Sequence, residues 1–455
     1  MPEATGSATG RAGCATHTPR GTAAPWLVPG AAGVVLGCIA VGAVPLLVNG
    51  LATVTALVFL CYFVRHAAFA VTAVRGAPVD LVAPTVRPGD LPQVTVLVAC
   101  RDEVTVVGGL VDALDRLTYP IDRLAVVIVD DGSTDGTAEL LDALVAPRPR
   151  CTVVHRPVGA AGGKAAALNA ALASADGDVF AVFDADHRPA PDGVDRLVRA
   201  LDDPGVAVAQ GRCIIRNAGS SLISRAVALD YFSGYLVDEY GRQALIGLPA
   251  CGGANYAVRA TDVRALGGWN ATSVTEDTDL TTRLLLAGRR IRYDVTATDT
   301  EEAVTTLRRY WTQRYRWARG HQAVCRTYRR AVLGAPHLSP GERLEALCFL
   351  HAYHVPVLAA GGFVFLGLWA GGVVTPLPVL GVSVLWTLLF LGPLVELGAG
   401  LMVAGAARRD AWVIVVFLPL FVLSVLVSTK AWIDGLLGRP YAWVKTARAA
   451  DPVAA

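Results

Sequence analysis

Residues Leu124–Asp135 read Leu-Ala-Val-Val-Ile-Val-Asp-Asp-Gly-Ser-Thr-Asp: six apolar residues rich in β-branched side chains, then two carboxylates and a glycine. A short apolar run closed by turn residues reads as a buried strand. Acid placed on its end marks a ligand site, because open α/β sheets bind ligands at the carboxyl ends of their strands. The pattern recurs at Val179–Phe183, which closes on Asp184-Ala185-Asp186. Gln93–Ala99 and Cys151–His155 are two more such runs, and helical spacing follows at Glu103–Leu117, Thr137–Val145 and Lys164–Leu172. Strands alternating with helices predict an α/β domain with a mostly parallel sheet, covered on both faces.

Working outward, the chain turns apolar on both sides. From Gly21 to Val64 no side chain is charged. At about 20 residues per span, this is room for two membrane crossings, with a turn near Asn49-Gly50. Ala346–Ala431 is interrupted only by Glu396, Arg408-Arg409-Asp410 and Lys430, and holds three or four spans. The division is a polar N-terminal tail over 1–24, two transmembrane helices over 25–74, the α/β domain over 75–335, a C-terminal membrane domain over 336–434 and a basic tail over 435–455. Arg11, Arg20, Arg65 and Arg75 flank the first pair of spans. By the positive-inside rule the α/β domain is then cytoplasmic, in a multi-pass protein of the cell membrane.

Composition agrees. Of the 455 residues 53% are hydrophobic and 17% charged, where about 25% charged is usual. That excludes a disordered chain, a coiled coil and an ordinary cytosolic enzyme. Forty basic against 38 acidic residues give +2, so no global field attracts nucleic acid. Nine scattered cysteines without a CxxC pair read as reduced thiols.

Several residues can carry chemistry. Asp184 and Asp186, one residue apart at a strand end, suit a hard divalent cation such as Mg²⁺ or Mn²⁺ bridging to phosphates; a helix cap or turn is the plain alternative. His187 beside them reads as a solvent-facing turn residue. Asp130 and Asp131 suit a nucleoside base or ribose, or simply an Asp-Gly turn. Gly162-Gly163-Lys164 opens a helix where backbone N–H groups and the ammonium can meet a diphosphate. In Thr275-Glu276-Asp277 a carboxylate stands on a loop over the sheet, as a general base must, or caps the helix that follows. Gln313-Arg314-Tyr315-Arg316-Trp317 lies in a basic helix whose Arg and Trp suit either a leaving diphosphate and a sugar face or lipid headgroups.

In order and spacing, these four groups resemble the D, DxD, TED, QxxRW signature of membrane-embedded family 2 glycosyltransferases, the cellulose, hyaluronan and poly-N-acetylglucosamine synthases among them. The resemblance covers about Val94–Gly320 and implies a Rossmann-like GT-A domain joined to transmembrane helices. It implies that Ala99, Arg101, Glu103, Asp130 and Asp131 line the nucleoside pocket with Lys164 nearby, and that Asp184 and Asp186 hold the diphosphate through Mg²⁺ or Mn²⁺. Asp277 would be the base, Glu276 would seat the acceptor, and Gln313, Arg316 and Trp317 would close over the diphosphate and acceptor sugar. The implied activity is inverting transfer from a nucleotide sugar, UDP-glucose or UDP-N-acetylglucosamine first, making a cell-surface polysaccharide. Single transfer to a lipid acceptor is the alternative, and a non-catalytic nucleotide sensor a distant third. Membrane lipids are expected neighbours, and an export partner is left open. Cys100-Arg101-Asp102-Glu103 departs from the relatives' usual Tyr-Asn pair, and Tyr441–Thr446 resembles a W-x-K/R-T element of some β-glycan and β-mannan synthases.

Overall fold

The computed structural model describes residues 44–76, 91–372 and 382–441. Its strands are β1 (Val94–Cys100), β2 (Leu124–Asp130), β3 (Cys151–His155), β4 (Val179–Asp184), β5 (Arg188–Pro189), β6 (Val206–Ile215), β7 (Tyr256–Arg259) and β8 (Arg290–Glu301). They form one sheet in the order β3-β2-β1-β4-β7-β6-β8-β5. From β3 to β4 all neighbours are parallel, as strand-helix alternation requires. β7 then runs antiparallel to both β4 and β6, β8 returns parallel to β6, and β5 closes the edge antiparallel.

The principal helices are α1 (Val44–Arg75), α2 (Val107–Asp115), α3 (Gly163–Ser174), α4 (Leu222–Ser233), α5 (Glu276–Leu286), α6 (Leu307–Gly334), α7 (Pro340–His351), α8 (Val355–Ala370), α9 (Val382–Val403) and α10 (Val413–Leu436). Successive side chains of a strand point to opposite faces, and β1 shows the result. Val96 and Val98 pack with Leu110 and Leu114 of α2, while Leu97 packs with Leu168 and Ala171 of α3 and Leu280 of α5. A strand buried on both sides is why the sequence is apolar without alternation.

α1 from Leu46 onward and α10 are each long and apolar enough to cross a membrane. α7 and α8, bent by 68° at their break, can make one further, broken span. The turn expected at Asn49-Gly50 is not there: α1 runs straight through, and Thr53 Oγ1 donates to the Asn49 carbonyl at 2.9 Å. An apolar stretch in lipid gains by staying helical, since helix satisfies every backbone group internally. The first of the two expected spans, the N-terminal tail and the element at Trp443–Thr446 lie outside the described residues.

α1 is fastened to the α/β domain at its C-terminal end. Phe69, Ala70 and Ala73 pack with Leu236, Val237 and Tyr240, and with Tyr293 and Val295 of β8. Arg65 reaches Glu345 of α7 through Nε at 2.9 Å and Nη2 at 2.8 Å, and Asp238 through Nη1 at 2.6 Å. Glu345 also takes Arg242 Nε at 2.9 Å. Buried charges survive only when so paired.

Gly241 permits the close approach, because a Cβ there would lie 2.6 Å from Phe69 Cβ. Gly241→Ala is therefore expected to push α1 off the domain and cost about 1–3 kcal/mol, seen as a lowered thermal midpoint of the detergent-solubilised protein. An unchanged midpoint would show that this seam is loose.

Candidate active site

The strand ends converge on an open cleft. At one end β2 passes into Asp131 and Gly132. Gly132 has φ +69°, and a Cβ on it would sit 2.7 Å from the Pro157 carbonyl oxygen, so only glycine makes this turn. The turn separates the two carboxylates. Asp130 faces inward, accepting from the Ser133 N–H at 3.1 Å and meeting His155 Nδ1 at 3.3 Å. Asp131 lines the cleft and pairs with Arg156. Burial pushes the Asp131 carboxyl above the usual range, against the pull of Arg156 and Arg101.

The segment after β1 is strapped to the same turn. Asp102, at φ +52°, accepts from the Thr134 N–H at 2.7 Å and donates its own N–H to Ser133 Oγ at 2.9 Å. Arg101 is thereby presented beside Asp131, Nη1 to Oδ2 4.0 Å, with Ala99 and Glu103 also on the wall.

Lys164, at the start of α3, occupies the middle. Its Nζ donates to the Gly253 carbonyl at 2.8 Å and lies 2.5 Å from Asp184 and 3.3 Å from Glu276. Burial disfavours the ammonium, but Asp184 and Glu276 more than reverse this, so its pKa is raised. Across from it, Asp277 lies in the first turn of α5 and accepts from the Thr278 N–H at 2.7 Å. Gly253, at φ +87°, would carry a Cβ 3.0 Å from Asp277 Oδ2; its bareness keeps that carboxylate open. Burial first, then the charge of Glu276, lift Asp277 to about 6.

Asp184 lines the cleft, and Asp186 behind it is fully buried. One ligand atom from each of Asp184, Asp186 and His187 lies within 4.8 Å of the others, so the two carboxylates fit a hard divalent cation. His187 is not solvent-facing: it is 2% exposed, with Nδ1 against Asp299 and Nε2 3.5 Å from Glu301. Burial opposes its protonation, but Asp299 and Glu301 outweigh that and raise its pKa. The two nitrogens are committed to β8.

Gln313, Arg316 and Trp317 of α6 close the far end. Arg316 Nε is buried without a hydrogen-bond partner among the described residues, an opening for an anionic ligand. The intervening Arg314 turns away to Asp230 at 2.5 Å and covers one face of Trp317, 4.6 Å from its centroid. Of the residues to which the resemblance gives a role, all but Asp130 and Asp186 line this one cleft. Sequence reasoning missed Tyr231, Cys213 and Glu301, which line it too. For Glu301 a signal existed, since the alternate acids Asp299 and Glu301 share one face of a strand.

Residues 95–264 match the model of glycosyl transferase family 2. The chain is 33% identical over 237 residues to the probable glycosyltransferase YdaM of Bacillus subtilis, covering 52% of this chain and 56% of that protein. It is 32% identical over 295 residues to the beta-monoglucosyldiacylglycerol synthase of Synechocystis, covering 63% and 60%. It thus spans at most three-fifths of the length of these curated relatives. Among solved structures, the mannosyltransferase PcManGT of Pyrobaculum calidifontis, in complex with GDP-Man and Mn²⁺, superposes with a TM-score of 0.61 at 21% identity, over 86% of this chain and 100% of that one. That likeness is one of fold.

Lys164→Met should cost about 3–5 kcal/mol, the usual loss when one member of a buried ion pair is removed. The ammonium is charged throughout pH 5–8, whereas Asp277 gains charge as pH rises through about 6. The fall in thermal midpoint relative to the parent should therefore be larger at pH 8 than at pH 5. Equal losses at both would mean Lys164 is not neutralising this cluster.

Proposed function

We propose that this chain, which carries a family 2 glycosyltransferase domain over residues 95–264, moves a hexosyl group with inversion from a nucleotide sugar to an acceptor hydroxyl, at the cytoplasmic face of a membrane. The observation that carries the reading is Asp277, a buried carboxylate on the cleft wall with its pKa raised to about 6. A general base is most effective when its pKa lies near the working pH.

In this reading the acceptor oxygen bonds the anomeric carbon as Asp277 takes its proton. The bond from that carbon to the diphosphate oxygen breaks, and the nucleoside diphosphate departs with the electron pair. Attack opposite the leaving group turns an α-linked donor into a β-linked product. Ala99, Arg101, Glu103 and Asp131 hold the nucleoside, and Asp130 shapes their turn. Lys164 and Arg316 bring positive charge to the diphosphate, where charge grows in the transition state. Asp184 and Asp186 would hold Mg²⁺ or Mn²⁺, which neutralises part of that charge. Glu276 and Gln313 frame the acceptor, and Trp317 offers it a flat apolar face.

Two acceptors are in play. A lipid hydroxyl is supported by the relative named for making monoglucosyldiacylglycerol. A growing β-glycan is supported by the resemblance of Gln313–Trp317 to the QxxRW motif.

The test is release of nucleoside diphosphate by the full chain in nanodiscs, with Mg²⁺ or Mn²⁺, from UDP-glucose, UDP-N-acetylglucosamine and GDP-mannose. Asp277→Asn should lower the rate about 10²–10⁴-fold while nucleotide binding stays within about threefold. A folded protein that binds no nucleotide and releases none would sink the reading. The pH profile gives a second check. Asp277 must be ionised to accept a proton, so kcat/KM should fall about tenfold per unit below pH 6 and level off above it. The residual rate of Asp277→Asn should lack that acid limb.

A further inference from the structure

The far wall of the cleft holds polar groups that the transfer step leaves unused. β6 and β8 pair Cys213 with Asp299 and Ile214 with Thr300, which puts Asp299 and Glu301 on one face of β8. His187 is wedged between them and holds Glu301 by Nε2 at 3.5 Å. Glu301 is thus a carboxylate on a rigid strand end, only 14% exposed yet lining the cleft. Beside it stands Tyr231 of α4. Burial, and after it the charge of Glu301, keep that phenol protonated, so it remains a hydrogen-bond donor.

This wall is mounted on elements that the apolar helix α9 presses against. Ser233 of α4 donates to Glu396 of α9 at 3.3 Å, and a Cβ on Gly400 of α9 would lie 2.9 Å from the Ser233 backbone nitrogen. Asp230 of the same helix holds Arg314, which backs Trp317. The nucleoside residues Arg101 and Asp131 lie on the β1–β2 side of the sheet, away from this wall. Glu301, Tyr231 and Trp317 thus line the part of the cleft that these helices support.

We infer that Glu301, with Tyr231, binds hydroxyl groups of the acceptor other than the one that attacks, so that the acceptor is itself a sugar ring, a glycan end or glycolipid headgroup, rather than a simple alcohol such as diacylglycerol. A carboxylate accepts hydrogen bonds from two neighbouring hydroxyls at once, and a phenol both donates and accepts. A flat aromatic beside them covers the C–H face of a pyranose. Diacylglycerol has one free hydroxyl, which Asp277 would engage, and would leave unfilled the hydrogen-bond acceptor capacity of Glu301 beyond His187 and Tyr231. A site built for hydroxyls discriminates strongly against ligands that lack them.

The inference rests on the transfer reading and has its own test. The full chain in nanodiscs, with the donor it uses, is offered octyl β-glucoside or dioctanoylglycerol. Octyl glucoside should be favoured at least tenfold in kcat/KM. Glu301→Gln should raise its KM at least tenfold with donor KM and nucleotide binding within about twofold. Tyr231→Phe, which keeps the ring and drops the hydroxyl, should raise it about threefold to tenfold. Equal use of dioctanoylglycerol, an unchanged acceptor KM in both variants, or a rise in donor KM instead would each overturn the inference. Absence of nucleotide release with every acceptor, from a protein that also binds no nucleotide, would instead count against the transfer reading.

Discussion

One ammonium holds this site together. Asp184, Glu276 and Asp277 converge on a partly desolvated cleft, and Lys164 Nζ sits against two of them and a backbone carbonyl. At an effective dielectric near 20, two unit charges 4 Å apart interact by about 4 kcal/mol. Like charges so placed must spread apart, protonate or gather a cation. The chain does some of each: Lys164 neutralises Asp184 and Glu276, and Asp277, raised first by burial and then by the charge of Glu276, has a pKa of about 6. The glycines follow from the same constraint. Gly253 admits Lys164 and Asp277 together, and Gly132 lets Asp131 face the cleft while Asp130 faces away.

Much of this was legible in the chain. Strands β1 to β4 stand within a residue of where the apolar runs put them; β1, β2 and β4 do so because parallel strands buried on both faces leave a local signal that little else imitates. That Asp131 and Asp184 line the cleft was legible because each stands at the end of such a run, whereas Asp277 was legible only through the likeness of Thr275-Glu276-Asp277 to a TED motif. The remainder depends on contacts distant in sequence. His187 looks like a turn residue until β8 closes over it, and its partners Asp299 and Glu301 lie more than a hundred positions on. Tyr231 sits in a helix with no motif. The reading of Asn49-Gly50 as a turn failed for a different reason: Asn-Gly favours turns where water can take up the freed backbone groups, and an apolar helix has no such water.

The apolar helices do more than flank the α/β domain. Arg65, Glu345, Arg242 and Asp238 form a buried ion network that joins α1, α7 and the segment between α4 and β7, and His66 with Glu396 links α1 to α9. Such networks contribute little net stability, but breaking one partner is costly. They fix where the two parts meet, and hence where α4 and α6 stand relative to the cleft.

The reversal of strand direction at β7 also bears on how a molecule of this kind can diversify. On the β4 side of that seam lie Arg101 and Asp131, assigned to the nucleoside; on the β6–β8 side, with α4 and α6, lie Glu301, Tyr231 and Trp317, assigned to the acceptor. The two sets share the floor at Asp184 and Lys164 but hang from different strands, and the acceptor set is tied to the membrane helices. Substitutions can therefore accumulate on one side of the seam with the other left intact. The seam divides the scaffold into two halves that substitution can alter one at a time.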